Sequence, residues 1–145
     1  MSSQPRQYKY GSCKELSLSY KESDPQVLML GGISQDDKRW SHAMTRRAAQ
    51  VLWFKLTELL YPDKASIVTS LASTAPLSAL GTGNQTTHVE VVKNDTEYTL
   101  VGRINRTRWL VQLSELEVRR LWADLDKLLY PVGWEGRGKK NTKMN

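Results

Sequence analysis

Residues 52–62 of the chain, LWFKLTELLYP, return 69 positions later as residues 121–131, LWADLDKLLYP. Seven of the eleven positions are identical, and these are the apolar positions together with the final Tyr-Pro. Leucine and tryptophan spaced at i, i+3 and i+4 form one apolar stripe on a helix, and proline disfavours helical geometry at the residue before it. Each copy is therefore predicted to be an amphipathic helix that ends at Tyr61 or Tyr130.

Alternating or apolar segments before each helix predict β-strands. These segments are residues 13–20 and 26–30 in the first half and residues 87–93, 98–104 and 108–113 in the second. Arg39-Trp40 also matches Arg108-Trp109 at the 69-residue offset, and residues 30–33 match residues 101–104 with a small gap. The two halves are thus expected to share one plan of antiparallel strands followed by a helix.

The two predicted helices differ in how clearly they begin. Ser114 with Glu117 three residues later is the spacing of a capping box, so the second helix is predicted to start there. The first helix is predicted over residues 41–61, with either Asp37 or Ser41 as its N-cap. Between the halves, a strand is predicted at residues 66–71, and the role of the 72–86 loop stays open because long loops are uncommon inside compact domains.

These patterns predict an α+β fold in which an internally duplicated unit forms a pseudo-two-fold single domain over residues 1–132. The first repeat covers about residues 8–62 and the second about residues 66–131, and residues 133–145 are expected to be a basic, disordered tail. The apolar stripes are expected to share one core, because burial contributes about 1.5–3 kcal/mol for each large apolar side chain.

A chain of strands and a helix repeated about an internal dyad resembles the Whirly-type fold of single-stranded-DNA-binding transcriptional regulators. The resemblance covers residues 20–62 and 92–131, and residues 109–129 are also similar to small cyanobacterial proteins of that fold. It implies a role in binding single-stranded DNA or RNA and in transcription regulation. The basic Lys-Gly-Lys-Ala type motif that Whirly proteins use on DNA is absent from this sequence.

The positive charge of the chain is concentrated at its ends. Of the formal net charge of +6, the last 13 residues contribute +3 through Arg137, Lys139, Lys140 and Lys143 against Glu135, and the first ten contribute +2. Such tails can attract phosphate backbones, but they can equally be solvated ends. The single Cys13 excludes an internal disulfide, and the absence of a long apolar run predicts a cytoplasmic protein without a membrane span.

A nucleic-acid site would need cations together with flat side chains on which bases can stack. The predicted turn carrying Arg103, Arg106, Arg108 and Trp109 is the best candidate, and Lys38 and Arg39 beside Trp40 form its counterpart in the first half. The alternative is that both tryptophans belong to the core and that the arginines are solvated or pair with Asp36 and Asp37, since tryptophan is mostly buried in proteins.

Enzyme chemistry has no candidate residues in this sequence. His42 and His88 are far apart and lack the spacing of metal ligands, and no nucleophile or phosphate-cradle motif is present. We therefore expect a non-enzymatic protein without a cofactor or metal. Two functions remain: single-stranded nucleic-acid binding, or a protein-interaction module or assembly factor that uses its sheet or an exposed edge. Such an edge would also allow pairing between copies of the chain.

Overall fold

The computed structural model describes residues 7–21, 24–64 and 85–130. Within these ranges the strands are β1 (Gln7–Lys21), β2 (Asp24–Ser34), β3 (Arg39–Thr45), β4 (Gln85–Thr86), β5 (His88–Asn94), β6 (Glu97–Ile104) and β7 (Thr107–Ser114). The two long helices are α1 (Arg46–Leu60) and α2 (Glu115–Leu129), and residues 62–64 are also helical. The predicted α+β class is confirmed. The predicted strand at 66–71, most of the 72–86 loop and the tail at 133–145 lie outside the described residues.

All seven strands belong to one sheet in the order β4-β3-β2-β1-β7-β6-β5. Neighbours are antiparallel except at β1–β7 and β3–β4, where the strands of one half pair in parallel with those of the other. Thr87 alone separates β4 from β5, although these strands lie at opposite ends of the sheet order. The sheet must therefore curl until its two ends meet.

Two tryptophans on the inner face of the sheet show how tightly it curls. The ring centroids of Trp40 on β3 and Trp109 on β7 are 5.8 Å apart, although two strands separate them in a sheet whose neighbouring strands lie about 4.8 Å apart. Each indole lies over the glycine directly opposite it, Trp40 over Gly32 and Trp109 over Gly102. Gly102 therefore corresponds to Gly32 rather than to Gly31, which corrects the sequence match by one residue.

The predicted start of the first helix is wrong. Residues 39–45 form β3, and α1 begins at Arg46 with Thr45 as N-cap, whose hydroxyl accepts a hydrogen bond from the Ala48 N–H at 3.1 Å. Ser41 lies within β3, where its backbone pairs with β2, and so it cannot begin a helix. Asp37 lies in the β2–β3 turn with a φ of 66°, and it forms an ion pair with Lys14 at 2.5 Å.

The second helix begins and ends as the sequence predicts. Ser114 and Glu117 form the capping box, with the Ser114 N–H donating to Glu117 Oε1 at 3.0 Å and the Glu117 N–H donating to Ser114 Oγ at 3.3 Å. Tyr61 and Tyr130 are the C-caps of α1 and α2. No helix within the described ranges is both long and apolar enough to cross a membrane.

The two helices pack against each other through matching contacts. The indole N–H of Trp53 donates to Asp126 Oδ1 at 3.0 Å, and the indole N–H of Trp122 donates to Thr57 Oγ1 at 2.8 Å. The ring of Tyr130 lies 4.7 Å from that of Trp53, and the same distance separates Tyr61 from Trp122. At the 69-residue offset, Trp53 corresponds to Trp122, Thr57 to Asp126 and Tyr61 to Tyr130. Each of these contacts therefore has an equivalent made by the other helix.

Each helix also packs against the half of the sheet that it does not follow in sequence. The main strand contact of α1 is with β5, and that of α2 is with β1. On the apolar stripes, Leu52, Leu56 and Leu125 are fully buried, as the periodicity predicts. Leu59 was expected on the same stripe but is 38% exposed.

Candidate nucleic-acid interface

The three arginines of the predicted site lie around the β6–β7 hairpin. Arg103 and Arg108 are directly opposite each other on the two strands, and Arg106 is in the two-residue turn between them. Asn105 has a φ of 53°, a left-handed conformation that asparagine tolerates better than most residues and that allows so short a turn. The hairpin register therefore brings Arg103 and Arg108 together on one face of the sheet.

Trp109 lies on the opposite face from these arginines. Successive side chains of a strand alternate between faces, so the residue after Arg108 points into the core, where Trp109 has no exposed surface. Its indole N–H donates to Thr86 Oγ1 at 3.0 Å. Because both ring faces are covered, Trp109 cannot stack on a base, and the hairpin supplies charge alone.

The first-half counterpart is exposed but lies among carboxylates. Lys38 and Arg39 are exposed at the β2–β3 turn. Asp37 in this turn is paired with Lys14, and Ser34 donates a hydrogen bond to Asp36 that lowers the pKa of that carboxyl group. The two halves therefore differ electrostatically at equivalent positions, because no carboxylate lies in the β6–β7 turn.

A cavity of about 230 Å³ opens beside the hairpin. Its polar and charged lining comprises Arg103, Arg108, Lys55 from α1, and His88 and Glu90 from β5. Sequence reasoning missed Lys55 and His88 as site residues. Lys55 is one of several cations on the polar side of α1, and only the packing of α1 on β5 brings it next to the hairpin.

The three cations of this cavity have unused hydrogen-bonding capacity. Arg108 is half-buried, and its Nε is buried without a hydrogen-bond partner in the part of the chain that the structure describes. Lys55, Arg103 and Arg108 form no ion pair with any described residue. Buried polar groups normally have a partner, and arginine binds carboxylate or phosphate through two parallel N–H···O bonds. The arrangement is therefore suited to binding an anion.

Four aromatic rings pack together on the inner face of the curled sheet. Tyr10 stacks on Trp40 with centroids 5.0 Å apart, and His42 stacks on Trp109 at 4.8 Å. The Tyr10 hydroxyl is hydrogen-bonded to His42 Nε2 at 2.7 Å. Partial burial lowers the pKa of His42 from 6.5 to about 4, since removal from water disfavours the charged imidazolium. At neutral pH, His42 therefore acts as an uncharged part of the core.

The stability of the fold should depend on His42 in mildly acidic solution. The unfolded chain binds a proton at His42 near pH 6.5, whereas the folded chain does so only near pH 4, so acid favours unfolding between these values. We expect urea melts of the wild type to show a larger fall in unfolding free energy from pH 7 to pH 4.5 than melts of His42→Val, which carries the residue found at the equivalent position Val111. Equal falls in the two proteins would contradict this assignment.

A scan against protein-family models gives no match, and a search of curated proteins gives no significant similarity. The tail cations Arg137, Lys139, Lys140 and Lys143 lie outside the described residues.

Proposed function

We propose that the protein is a non-enzymatic domain with a Whirly-like, internally duplicated fold that binds single-stranded nucleic acid through the face carrying Arg103, Arg106 and Arg108, in transcription regulation. The single observation that carries the site is the set of cations without ion-pair partners among the described residues, including a half-buried Arg108 whose Nε has no hydrogen bond there. Phosphate contacts supply most of the affinity in sequence-independent nucleic-acid binding.

The duplicated fold is supported by features that recur in the two halves, most of them at the 69-residue offset. The helices have N-caps at Thr45 and Ser114 and C-caps at Tyr61 and Tyr130. Each half also places a tryptophan over a glycine of the neighbouring strand, and each helix donates one indole hydrogen bond to the other. A pseudo-two-fold axis relating the halves accounts for all of these pairs.

The site should be tested by reversing its charge. The variant Arg103→Glu/Arg106→Glu/Arg108→Glu is expected to weaken binding of a fluorescent single-stranded oligonucleotide at least tenfold, measured by anisotropy. Since the slope of log K against log salt is about −0.7 for each phosphate neutralised on a single strand, we expect the slope to become shallower by about 2.

A matched control separates local from overall charge. Lys93, Arg120 and Lys127 are exposed on β5 and α2, away from the face that carries Arg103 and Arg108, and their replacement by glutamate changes the net charge by the same amount. This control should retain a much larger share of the binding. Equal binding by the wild type and the arginine variant, with circular dichroism showing both folded, would remove the proposed site.

The sheet edge favours a second candidate, binding of another protein. Among the described residues, strand β5 pairs with β6 on one side only, and its Val92 is 45% exposed. The free edge of such a strand can pair with an extended segment of a partner through backbone hydrogen bonds. Such an interface should resist high salt, whereas binding to phosphates weakens steeply. Capture of partners from native extract, with and without nuclease at two salt concentrations, distinguishes the two functions.

A further inference from the structure

The cavity beside the β6–β7 hairpin carries more positive charge than one phosphate within a strand would neutralise. Lys55, Arg103 and Arg108 line it together with a single carboxylate, that of Glu90. The formal charges of these four groups sum to +2. A phosphodiester inside a strand carries one negative charge, whereas a terminal phosphomonoester approaches two at neutral pH because its second pKa is about 6.

The size of the cavity and the positions of its cations also favour a small anionic group. Its volume is about 230 Å³, below the roughly 300–1,000 Å³ typical of pockets for drug-sized ligands. The donors approach from different elements, with Lys55 on α1 and the two arginines opposite each other on β6 and β7. A terminal phosphate presents three free oxygens to such a set, whereas a phosphodiester presents two and must leave the cavity at both sides.

We infer that this cavity binds the terminal phosphate of a single strand, so that the protein prefers phosphorylated strand ends. The inference rests on the proposed function, since it assigns one part of the bound strand to a place in the same site. Lys55 then acts on the strand end in particular, because it lines the cavity from α1, whereas Arg106 in the hairpin turn is not among the lining residues.

Binding of three oligonucleotides of one sequence tests the inference. One has a 5′-phosphate, one a 3′-phosphate, and one hydroxyl groups at both ends, with an internal fluorophore for anisotropy. We expect at least one phosphorylated form to bind about tenfold more tightly than the hydroxyl form at neutral pH. Equal affinities of all three would overturn the inference.

Two variants tie the preference to the cavity. Lys55→Gln should reduce the ratio of the affinities for the phosphorylated and hydroxyl forms to threefold or less. Lys127→Gln, an equal loss of charge on the exposed side of α2, should leave the preference intact. A preference that survives in folded Lys55→Gln would overturn the assignment to this cavity.

The results also separate this inference from the proposed function. Binding of the hydroxyl oligonucleotide without an end preference refutes the terminal-phosphate site alone, whereas absence of binding to all three oligonucleotides refutes nucleic-acid binding itself. Inorganic phosphate serves as a competitor and should lower the affinity of the phosphorylated form toward that of the hydroxyl form. If inorganic phosphate binds to the protein but no phosphorylated strand binds more tightly, the cavity is a site for free phosphate and the inference fails.

Discussion

Replacing Gly102 by alanine is expected to destabilise the fold by about 3 kcal/mol or more, at the upper end of the range for overpacked cores. An added Cβ would lie 2.1 Å from Trp109 Cε2 and 2.2 Å from Cζ2. Trp109 has no exposed surface and its indole N–H is held by Thr86, so the ring cannot move aside without disturbing the core. Urea melts of the variant and the wild type measure the difference.

Gly31→Ala provides the control for the Gly102 prediction. Its Cβ would be 3.2 Å from the Trp40 carbonyl oxygen, a tight contact that a small shift relieves, so the loss should stay within about 1 kcal/mol. Adding Trp109→Phe to Gly102→Ala should return part of the lost stability, because the smaller ring leaves room for the methyl group. A loss below about 1 kcal/mol for Gly102→Ala alone would show that the indole does not pack on this glycine.

Truncating the leucine stripe is expected to have the other large effect. Leu56 and Leu125 occupy equivalent positions on α1 and α2 and are both fully buried. Leu56→Ala and Leu125→Ala should each lower the free energy of unfolding by about 2–5 kcal/mol, the sum of lost burial and the cavity left behind. Denaturant melts of the two single variants test this, and we expect losses of similar size.

The exposed leucines of the same helices are the controls for this stripe. Leu59 on α1 is 38% exposed and Leu116 on α2 is 59% exposed, so their replacement by alanine should change stability by only about 0.5 kcal/mol. If Leu125→Ala and Leu116→Ala cost the same, the stripe of α2 would not be part of the core.

The sequence predicted the helices and strands correctly where N-cap residues, apolar periodicity and the position of proline agree. The capping box at Ser114, the helix ends at Tyr61 and Tyr130 and the strand through Trp109 are all present in the structure. The strand containing Trp40 was missed because Asp37 and Ser41 are both possible N-caps by residue type, which placed the predicted start of the helix before or within the strand Arg39–Thr45. The repeat contained the signal needed to correct this, since Thr45 lies at the 69-residue offset from Ser114 and is indeed the N-cap.

The candidate site was predicted less completely because it depends on contacts between distant parts of the chain. The hairpin pattern is local, so it indicated that Arg103 and Arg108 share a face. Lys55 joins them only because α1 packs on β5, and the difference between the two halves arises from Asp36 and Asp37 in one turn. No periodicity in the sequence indicates which helix crosses to which half of the sheet.

The crossed packing of the helices has a consequence for synthesis on the ribosome. When only the first half has emerged, the leucine face of α1 lacks β5, and β1 lacks its neighbour β7. The first surface is covered only after β5 (His88–Asn94) has emerged and the second only after β7 (Thr107–Ser114), so the nascent chain exposes these surfaces while the second half is being translated. Such intermediates are the species that molecular chaperones protect, and a first half released early should aggregate rather than accumulate as a folded fragment.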